Sequence, residues 1–248
     1  YLYTDRKTLD RIAIFANDSQ SDGHATLSGL QQRAFLVDTL ADISVAGKAH
    51  NAQPDDTAFI QFSSGSTSEP KGIVLTHRNI LTNARGAGEA AAFSEQDVTL
   101  SWMPLTHDMG LIGMFIMMYA HRMQLNMMPT ELFVRRPLLW MQIAARKRVT
   151  ITSSPNFGFR HYLKVLSDRS VADLDLASIR LLFNGAEPIS ASLAREFIAR
   201  LQPAKLPPQA MYPVYGLAEA TLAVSFPRLD ARLTAVALDR HHLSVGNE

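Results

Sequence analysis

The feature that most constrains the fold of this 248-residue chain is an alternation of short apolar runs with longer segments of helical pattern. The apolar runs are rich in β-branched and aromatic residues, which favour strands. The predicted strands are TAFIQF (57–62), GIVLTH (72–77), VTLSWM (98–103), QLNMM (124–128), VTITSS (149–154), IRLLF (179–183) and AMYPV (210–214). The predicted helices span 77–93, 109–121, 137–148, 157–166 and 190–201, and another starts near Leu217. Thr76 is the predicted cap of the first of these helices. This alternation predicts an α/β fold with a largely parallel sheet flanked by helices.

Composition excludes several classes of function. The chain has no Cys, which rules out disulfides, zinc–thiolate sites and a cysteine nucleophile, and which fits the reducing cytoplasm where we expect the protein to work. The net charge of +1 gives no electrostatic support for binding nucleic acid. The longest apolar run, 109–120, is about half of the roughly 20 residues that a bilayer span needs, so we expect a buried helix and no membrane span.

Polar segments marked by Gly or Pro follow five of the predicted strands. They are SSGSTSEPKG, PLTHDMG, SPNF, NGAEP and YGLAEA. Ligands of α/β proteins bind at the carboxyl ends of the strands. The five segments together therefore predict a binding site at one edge of the sheet.

The segment after residue 62 contains the parts of an anion-binding loop. Its hydroxyl groups and backbone N–H groups come from Ser63, Ser64, Gly65, Ser66, Thr67 and Ser68. Gly65 and Gly72 allow close approach of the backbone, and Lys71 adds a positive charge that suits a phosphate. The pattern differs from a Walker A loop, because Lys71 precedes Gly72 and an apolar strand follows. A solvated hairpin loop uses the same residue types, so composition leaves both interpretations open.

The complete string SSGSTSEPKG resembles the phosphate-binding signature of the ANL adenylating superfamily, which includes acyl-CoA synthetases, peptide-synthetase adenylation domains and luciferases. YGLAEA resembles the second nucleotide motif of that superfamily, and FNGAEP resembles its adenine-contacting loop. PLTHDMGLIG together with YGLAEATLAVS is most similar to the fatty acyl-AMP ligase branch, including the starter ligase domains of polyketide and peptide synthetases. The matching segments occur in the family's order between about Asp56 and Phe226.

The resemblance implies that a carboxylic acid, fatty or related, attacks the α-phosphate of ATP with Mg²⁺ present, and that the acyl-adenylate passes to a carrier-protein phosphopantetheine thiol. A coenzyme A ligase is an alternative, and so is a non-catalytic docking module that keeps the fold. Residues 1–248 would be part of the large N-terminal AMP-binding domain, truncated at both ends and without the small C-terminal lid domain. We therefore expect weak nucleotide binding and poor turnover from this chain alone.

The resemblance also assigns residues to the nucleotide. The phosphates would contact the loop from Ser63 to Ser68 together with Lys71 and Gly72, where Ser68 and Glu69 depart from the Gly-Thr of many members. The rest of the nucleotide would contact Gly185, Ala186, Glu187, Pro188, Tyr215, Gly216, Leu217 and Ala218. Ala218 stands where many relatives have Thr, and the fatty acyl-AMP ligase branch often shares this Ala. Glu219 would bind Mg²⁺, for which a carboxylate is a suitable ligand.

The resemblance assigns binding of the carboxylic acid to the segments after residues 103 and 153. The predicted substrate contacts are His107, Asp108, Met109, Gly110, Gly113, Asn156 and Phe157. With Lys71 and Glu219, His107 completes the predicted catalytic group, in which a neutral His107 would donate a hydrogen bond to the acid or phosphate. Met residues concentrate between Met103 and Met128, which predicts either an adaptable acyl tunnel or core packing. If Gly110 and Gly113 border a tunnel, a larger residue at Gly113 would shorten the accepted acid.

Each of the three main assignments has a structural alternative. Glu219 is also suited to a surface position in the first turn of a helix, where the helix dipole favours a carboxylate. His107 would equally serve as a hydrogen-bonded core histidine, and Tyr215 as a core aromatic residue. The other His residues have no spacing typical of metal ligands.

Overall fold

The computed structural model describes residues 2–18, 29, 32–39, 47–63 and 71–238. The chain divides into two compact units, Tyr1–Asn51 and Ala52–Glu248. In the first unit, β1 (Leu2–Thr4) pairs in parallel with β2 (Ala34–Leu36), and α1 (Arg6–Asp18) follows β1. Tyr3 and Phe35 stack across this pair with their ring centroids 5.4 Å apart.

The second unit contains a parallel sheet of five strands in the order β6-β5-β7-β8-β9. The strands are β5 (Val98–Ser101), β6 (Gln124–Met127), β7 (Ile151–Ser154), β8 (Leu181–Asn184) and β9 (Met211–Pro213). Every residue of β7 and β8 is buried, as expected for parallel strands that are covered on both faces. The sheet confirms the predicted α/β fold.

Helices connect these strands at nearly the predicted positions, except for the short helix Thr130–Arg135, which was not predicted. They are α2 (His77–Ala91), α3 (Met117–Ala120), α4 (Thr130–Arg135), α5 (Leu138–Lys147), α6 (Asn156–Leu166) and α7 (Ala191–Leu201), and a π-helix (Met109–Ile116) leads directly into α3. Thr76 caps α2 as predicted, since its side chain accepts a hydrogen bond from the Asn79 N–H while the Asn79 side chain accepts from the Thr76 N–H. This reciprocal capping satisfies backbone donors at the start of the helix.

Two predicted strands form a sheet of their own. β3 (Thr57–Ser63) and β4 (Lys71–Thr76) pair with each other in antiparallel register, with Ser63 opposite Lys71. Parallel pairing requires a crossover of a dozen or more residues, and the connection here is much shorter. The interpretation of all five polar segments as ends of one parallel sheet is therefore wrong for the segment after β3.

The helix predicted to start near Leu217 is also absent from this part of the structure. Ala218–Ala220 form a single 3₁₀ turn, after which β11 (Ala223–Ser225) pairs in antiparallel register with β10 (Tyr215–Gly216). The reversal is built by Thr221, whose φ is +72°, and by a 2.9 Å hydrogen bond from the Leu217 N–H to the Leu222 carbonyl. A β-branched residue with positive φ cannot continue a right-handed helix.

One face of the parallel sheet packs on a cluster of aromatic side chains. Trp102 stacks on Phe133 with ring centroids 3.8 Å apart, and both rings meet the edge of Trp140. Trp140 is fully buried, and its indole N–H donates to Thr152 Oγ1 at 2.9 Å. The cluster thus joins the end of β5 and α4 to α5 and to the centre of β7.

A buried ion pair lies at the amino ends of the parallel strands. Arg180 donates from Nε and Nη2 to the two carboxylate oxygens of Asp97 at 2.8 and 2.7 Å. Thr150 Oγ1 and the Ser94 N–H also donate to Asp97, and Arg180 donates to the carbonyls of Ala91 and Ala92 at the end of α2. Burial by itself would raise the pKa of Asp97, but the hydrogen bonds from Arg180, Thr150 and Ser94 and the charge of Arg180 lower it below its usual value.

We expect Asp97→Ala to lower the free energy of unfolding by about 3 kcal/mol, because it leaves the Arg180 guanidinium without its partner. The loss should lie at the low end for a broken buried pair, since about a third of the Arg180 side chain is exposed. Urea unfolding measures the difference. The matched control is Asp173→Ala at an exposed position, where the change should stay within about 0.5 kcal/mol.

The contribution of Asp97 should also depend on pH in a defined direction. Since its pKa is lowered in the folded protein, its stabilisation is present above the unfolded value of about 3.9 and disappears as the pH falls through the folded value. Equal stability of the wild type and Asp97→Ala at neutral pH would contradict the proposed role.

Candidate functional site

A cavity of about 520 Å³ lies in the second unit, beside the carboxyl ends of several strands. One wall comes from the π-helix and the residues just before it, and another comes from the β10–β11 hairpin and its turn. Gln61 and Phe62 of β3 and Phe183 of β8 complete the lining together with Phe93 and Phe226. Although β3 belongs to a different sheet, the fold brings its end to the same place.

His107 and Asp108 form the polar part of the first wall. Nδ1 of His107 lies 2.7 Å from Oδ1 of Asp108, and the same oxygen accepts a 2.6 Å hydrogen bond from the Met109 N–H. The hydrogen bond to Asp108 and the charge of that carboxylate raise the pKa of His107 above its usual value, against the effect of partial burial. Burial by itself would raise the pKa of Asp108, but His107 and the Met109 N–H lower it.

The groups around Nδ1 determine how His107 can donate a hydrogen bond. Nδ1 of His107 faces both the Asp108 carboxylate and the Met109 N–H, which donates to it at 3.1 Å. In the imidazolium both ring nitrogens carry a hydrogen, whereas a neutral ring whose Nδ1 accepts from Met109 keeps its hydrogen on Nε2. Nε2 can therefore donate from the imidazolium and from this neutral form, and donation by a neutral His107 to the acid or phosphate stays a prediction. Asp108 has the role of favouring that charged form, which the sequence did not indicate.

The second wall is held in place by unusual backbone geometry. Tyr215, Gly216, Leu217 and Ala218, which are predicted to contact the nucleotide, line the cavity together with Glu219, the predicted Mg²⁺ ligand. A Cβ atom on Gly216 would lie 2.0 Å from the Leu222 carbonyl oxygen, so only glycine fits there. The Glu219 side chain lies on the exposed turn of this wall.

The loop after β8 contributes less to the cavity than its motif suggests. Only Ala186, with a φ of +69°, lines the cavity, whereas Gly185 packs against the carbonyl of Val214. Glu187 instead accepts a 2.8 Å hydrogen bond from the Phe157 N–H, and the Asn156 side chain donates to the Pro188 carbonyl. These last four residues form a separate group that ties α6 to the loop.

In the segment predicted to bind the acid, one of the two glycines and some of the methionines line the cavity, whereas the others do not. Gly113 lines the cavity, but Gly110 packs against the Pro104 carbonyl, 2.1 Å from where its Cβ would lie. The methionines that line the cavity are Met109, Met114, Met117 and Met118, whereas those in the core away from it are Met103, Met123 and Met128. Core packing is thus confirmed for the second group, and the acyl tunnel stays a prediction for the methionines that line the cavity.

The predicted phosphate loop falls largely outside the described residues, which end at Ser63 and resume at Lys71. Ser64, Gly65, Ser66, Thr67 and Ser68 therefore remain a prediction. Ser63 and Lys71 pair at the end of the β3–β4 hairpin, and Gly72 is opposite Phe62, which lines the cavity. The ends of the loop are thus close to the cavity wall.

Within the described ranges, no group of three or more His, Asp or Glu side chains is arranged to hold a metal ion. Mg²⁺ commonly binds one or two protein carboxylates and completes its coordination with substrate phosphates and water. The exposed carboxylate of Glu219 at the cavity is a suitable oxygen donor for that mode of binding.

Sequence reasoning missed several lining residues. Phe93 and Phe226 are apolar and lie outside the quoted motifs. Phe183 and Leu222 lie within FNGAEP and YGLAEATLAVS, but the resemblance assigned other residues of those motifs to the site. Gln61 lies within a predicted strand, yet its Oε1 is buried without a hydrogen-bond partner among the described residues. The one sequence signal for Gln61 is that it is a polar residue near the end of an apolar run.

We expect Asp108→Asn to lower the pKa of His107, because the substitution removes the carboxylate that stabilises the imidazolium. NMR titration of the imidazole C–H signals measures the change. His161 is the internal control, since it lies on α6 and contacts the Val134 carbonyl, so its curve should coincide in the two proteins. An unchanged His107 curve would contradict the pairing.

None of the helices that the structure describes is both long and apolar enough to cross a membrane.

Comparison with known proteins identifies the family. The model of the AMP-binding enzyme family matches residues 5–243. The chain is 36% identical over 79% of its length to the medium-chain-fatty-acid–[acyl-carrier-protein] ligase TtuA of Teredinibacter turnerae, covering 30% of that protein. It is 38% identical over 86% of its length to the long-chain-fatty-acid–AMP ligase FadD32 of Mycolicibacterium smegmatis, covering 35% of it.

A solved structure supports the same assignment. The fatty acyl-adenylate ligase of L. pneumophila, in complex with acyl adenylate and pyrophosphate, superposes with a TM-score of 0.75 and 30% identity over 84% of this chain and 38% of its own. The chain thus spans about a third of the length of the curated relatives it matches. It belongs to the AMP-binding enzyme family, the ANL adenylating superfamily that its motifs resemble.

Proposed function

We propose that the protein containing this chain activates a fatty or related carboxylic acid with ATP and transfers the acyl group to the phosphopantetheine thiol of a carrier protein. The observation that carries the proposal is a single cavity in which His107, Asp108 and Glu219 share the lining with a wall of methionine and phenylalanine side chains. Such a cavity suits a ligand with both a charged and a hydrocarbon part. The similarity to fatty acid ligases supports the same substrate class.

The chemistry requires charge neutralisation and alignment more than a base. The acid is already ionised at neutral pH, so a carboxylate oxygen attacks the α-phosphorus of ATP. A bond forms between these two atoms, the bond from the α-phosphorus to the bridging oxygen breaks, and pyrophosphate leaves with the electron pair. In the second step, the thiolate attacks the acyl carbonyl carbon and AMP leaves.

Each candidate residue has a role in this scheme. The His107 imidazolium, favoured by Asp108, would donate from Nε2 to the acid or to the α-phosphate. Lys71 would neutralise charge on the departing phosphates. Glu219 would hold Mg²⁺, which supplies further neutralisation when bound. Preorganised positive charge of this kind is commonly the largest contribution to catalysis.

The acceptor and the location are parts of the same proposal. The carrier protein is favoured over coenzyme A because one of the relatives is named as an [acyl-carrier-protein] ligase. A cytoplasmic location is proposed because ATP is available there and the chain has no Cys.

The decisive experiment supplies the full-length natural protein with ATP, Mg²⁺, a panel of carboxylic acids and coenzyme A, and identifies products by mass spectrometry. We expect an acyl-adenylate to accumulate without acyl-CoA. Formation of acyl-CoA would instead establish a coenzyme A ligase. Absence of any adenylate with every acid would favour a non-catalytic docking module.

A second test concerns the metal ligand. We expect Glu219→Gln to lower kcat/KM for ATP by about a hundredfold, because a neutral amide binds Mg²⁺ more weakly than a carboxylate does. Raised Mg²⁺ should restore part of the activity. The control is Glu196→Gln on the exposed face of α7, which should leave the kinetics unchanged. Full activity of Glu219→Gln at low Mg²⁺ would exclude this role.

A further inference from the structure

Leu222 lies in the turn between Glu219 and β11, and its side chain lines the cavity. Its Cδ2 atom is 2.9 Å from the position that a Cβ atom on Gly113 would take. Gly113 belongs to the π-helix on the facing wall. The two walls of the cavity therefore meet here, and Leu222 occupies the space that the missing side chain of Gly113 leaves open.

The backbone at Leu222 is fixed from several directions. The Asn83 side chain, on α2, donates to the carbonyl of Ala223 at 2.8 Å and accepts from its N–H at 2.9 Å. The Leu222 carbonyl accepts from the Leu217 N–H and lies against Gly216.

Thr221 adds a constraint on the same turn, because it holds a φ of +72° while its side chain is buried. Strained conformations such as this one persist only where the surroundings determine them, and they cluster at ligand sites. Because the backbone cannot move easily, the side chain at position 222 decides how closely the two walls approach.

The lining on both sides of this contact is apolar. Met109 and Met114 flank Gly113 on the π-helix, and Met117 follows at the start of α3. Apolar side chains of this kind favour a hydrocarbon over phosphate or ribose, whose polar groups would lose hydrogen bonds to water there. The flexible thioethers can adapt to chains of different shape, whereas the branched Leu222 on its fixed backbone cannot.

We propose that Leu222 is a specificity-determining residue that limits the length of the acyl chain by closing the cavity against Gly113. This inference rests on the proposed function, since it assumes that the acid's hydrocarbon part enters the methionine-lined side. The inference adds to that function a limit on acyl-chain length. The limit is set by the turn that carries Glu219, on the wall that faces the π-helix.

The test measures kcat/KM for adenylate formation with a series of straight-chain acids, in the full-length natural protein and its variants. In Leu222→Ala, the preferred acid should be about two carbons longer than in the wild type. The ratio of kcat/KM for this longer acid to kcat/KM for the original preferred acid should rise about tenfold. Leu222→Val, which keeps a branched apolar side chain, should move the preference in the same direction by less. Leu222→Val also tests the inference if the alanine variant does not fold.

Gly113→Ala supplies the reciprocal test. Its new methyl group would meet Leu222, so the preferred acid should become shorter. In the double variant Gly113→Ala with Leu222→Ala, the clash is removed and the preference should return towards that of the wild type. Coupling of this kind is expected only for residues in contact.

Leu81→Ala is the matched control, because Leu81 is 59% exposed on α2 and does not line the cavity. It should leave the chain-length profile unchanged. An unchanged profile in an active Leu222→Ala protein would overturn the inference, and so would an equal fall in kcat/KM for every acid. Failure of the wild type to form any adenylate would overturn the proposed function and this inference with it.

Discussion

The buried ion pair between Asp97 and Arg180 is the interaction on which the arrangement of the parallel sheet depends. Its members, with Thr150, come immediately before β5, β8 and β7, so one set of hydrogen bonds joins three neighbouring strands at their amino ends. Arg180 also holds the carbonyls at the end of α2. A buried carboxylate is costly unless its oxygens are fully hydrogen-bonded, and here several donors meet that requirement. Register at the amino ends determines which residues emerge together at the carboxyl ends.

The cavity at those carboxyl ends combines rigid backbone with adaptable side chains. The π-helix, in which the Met117 N–H donates to the Ile112 carbonyl, is a rare geometry that commonly occurs at functional sites. Opposite it, the β10–β11 hairpin is held by Asn83, whose side chain bonds the backbone of a residue 140 positions away. Between these fixed walls, methionines supply a surface that conforms to a hydrocarbon.

The polar groups of the cavity fit the proposed activation of a carboxylic acid. The reactants are anions, so the site must supply positive charge where the phosphates and the acid meet. Asp108 favours the charged form of His107 through a single 2.7 Å contact. This carboxylate thereby helps to determine the charge of the residue that the proposed mechanism places beside the reacting groups.

Much of the fold followed from the sequence by itself, because hydrophobic periodicity and helix capping are local. The buried strands β7 and β8 and the Thr76 cap are examples. The same holds for the candidate residues Lys71, His107 and Glu219, which lie in short motifs with recognisable order.

Tertiary structure decided the features that join distant parts of the chain. The pairing of β3 with β4 follows from the short connection between them, and the turn at Thr221 replaces a predicted helix because contacts from Asn83 and Gly216 hold it. Leu222 meets Gly113 only in three dimensions, so the motif that contains it gives no local signal of this contact. The sequence by itself thus determined the elements and the chemical groups of the site, whereas packing between remote segments decided the shape of the cavity.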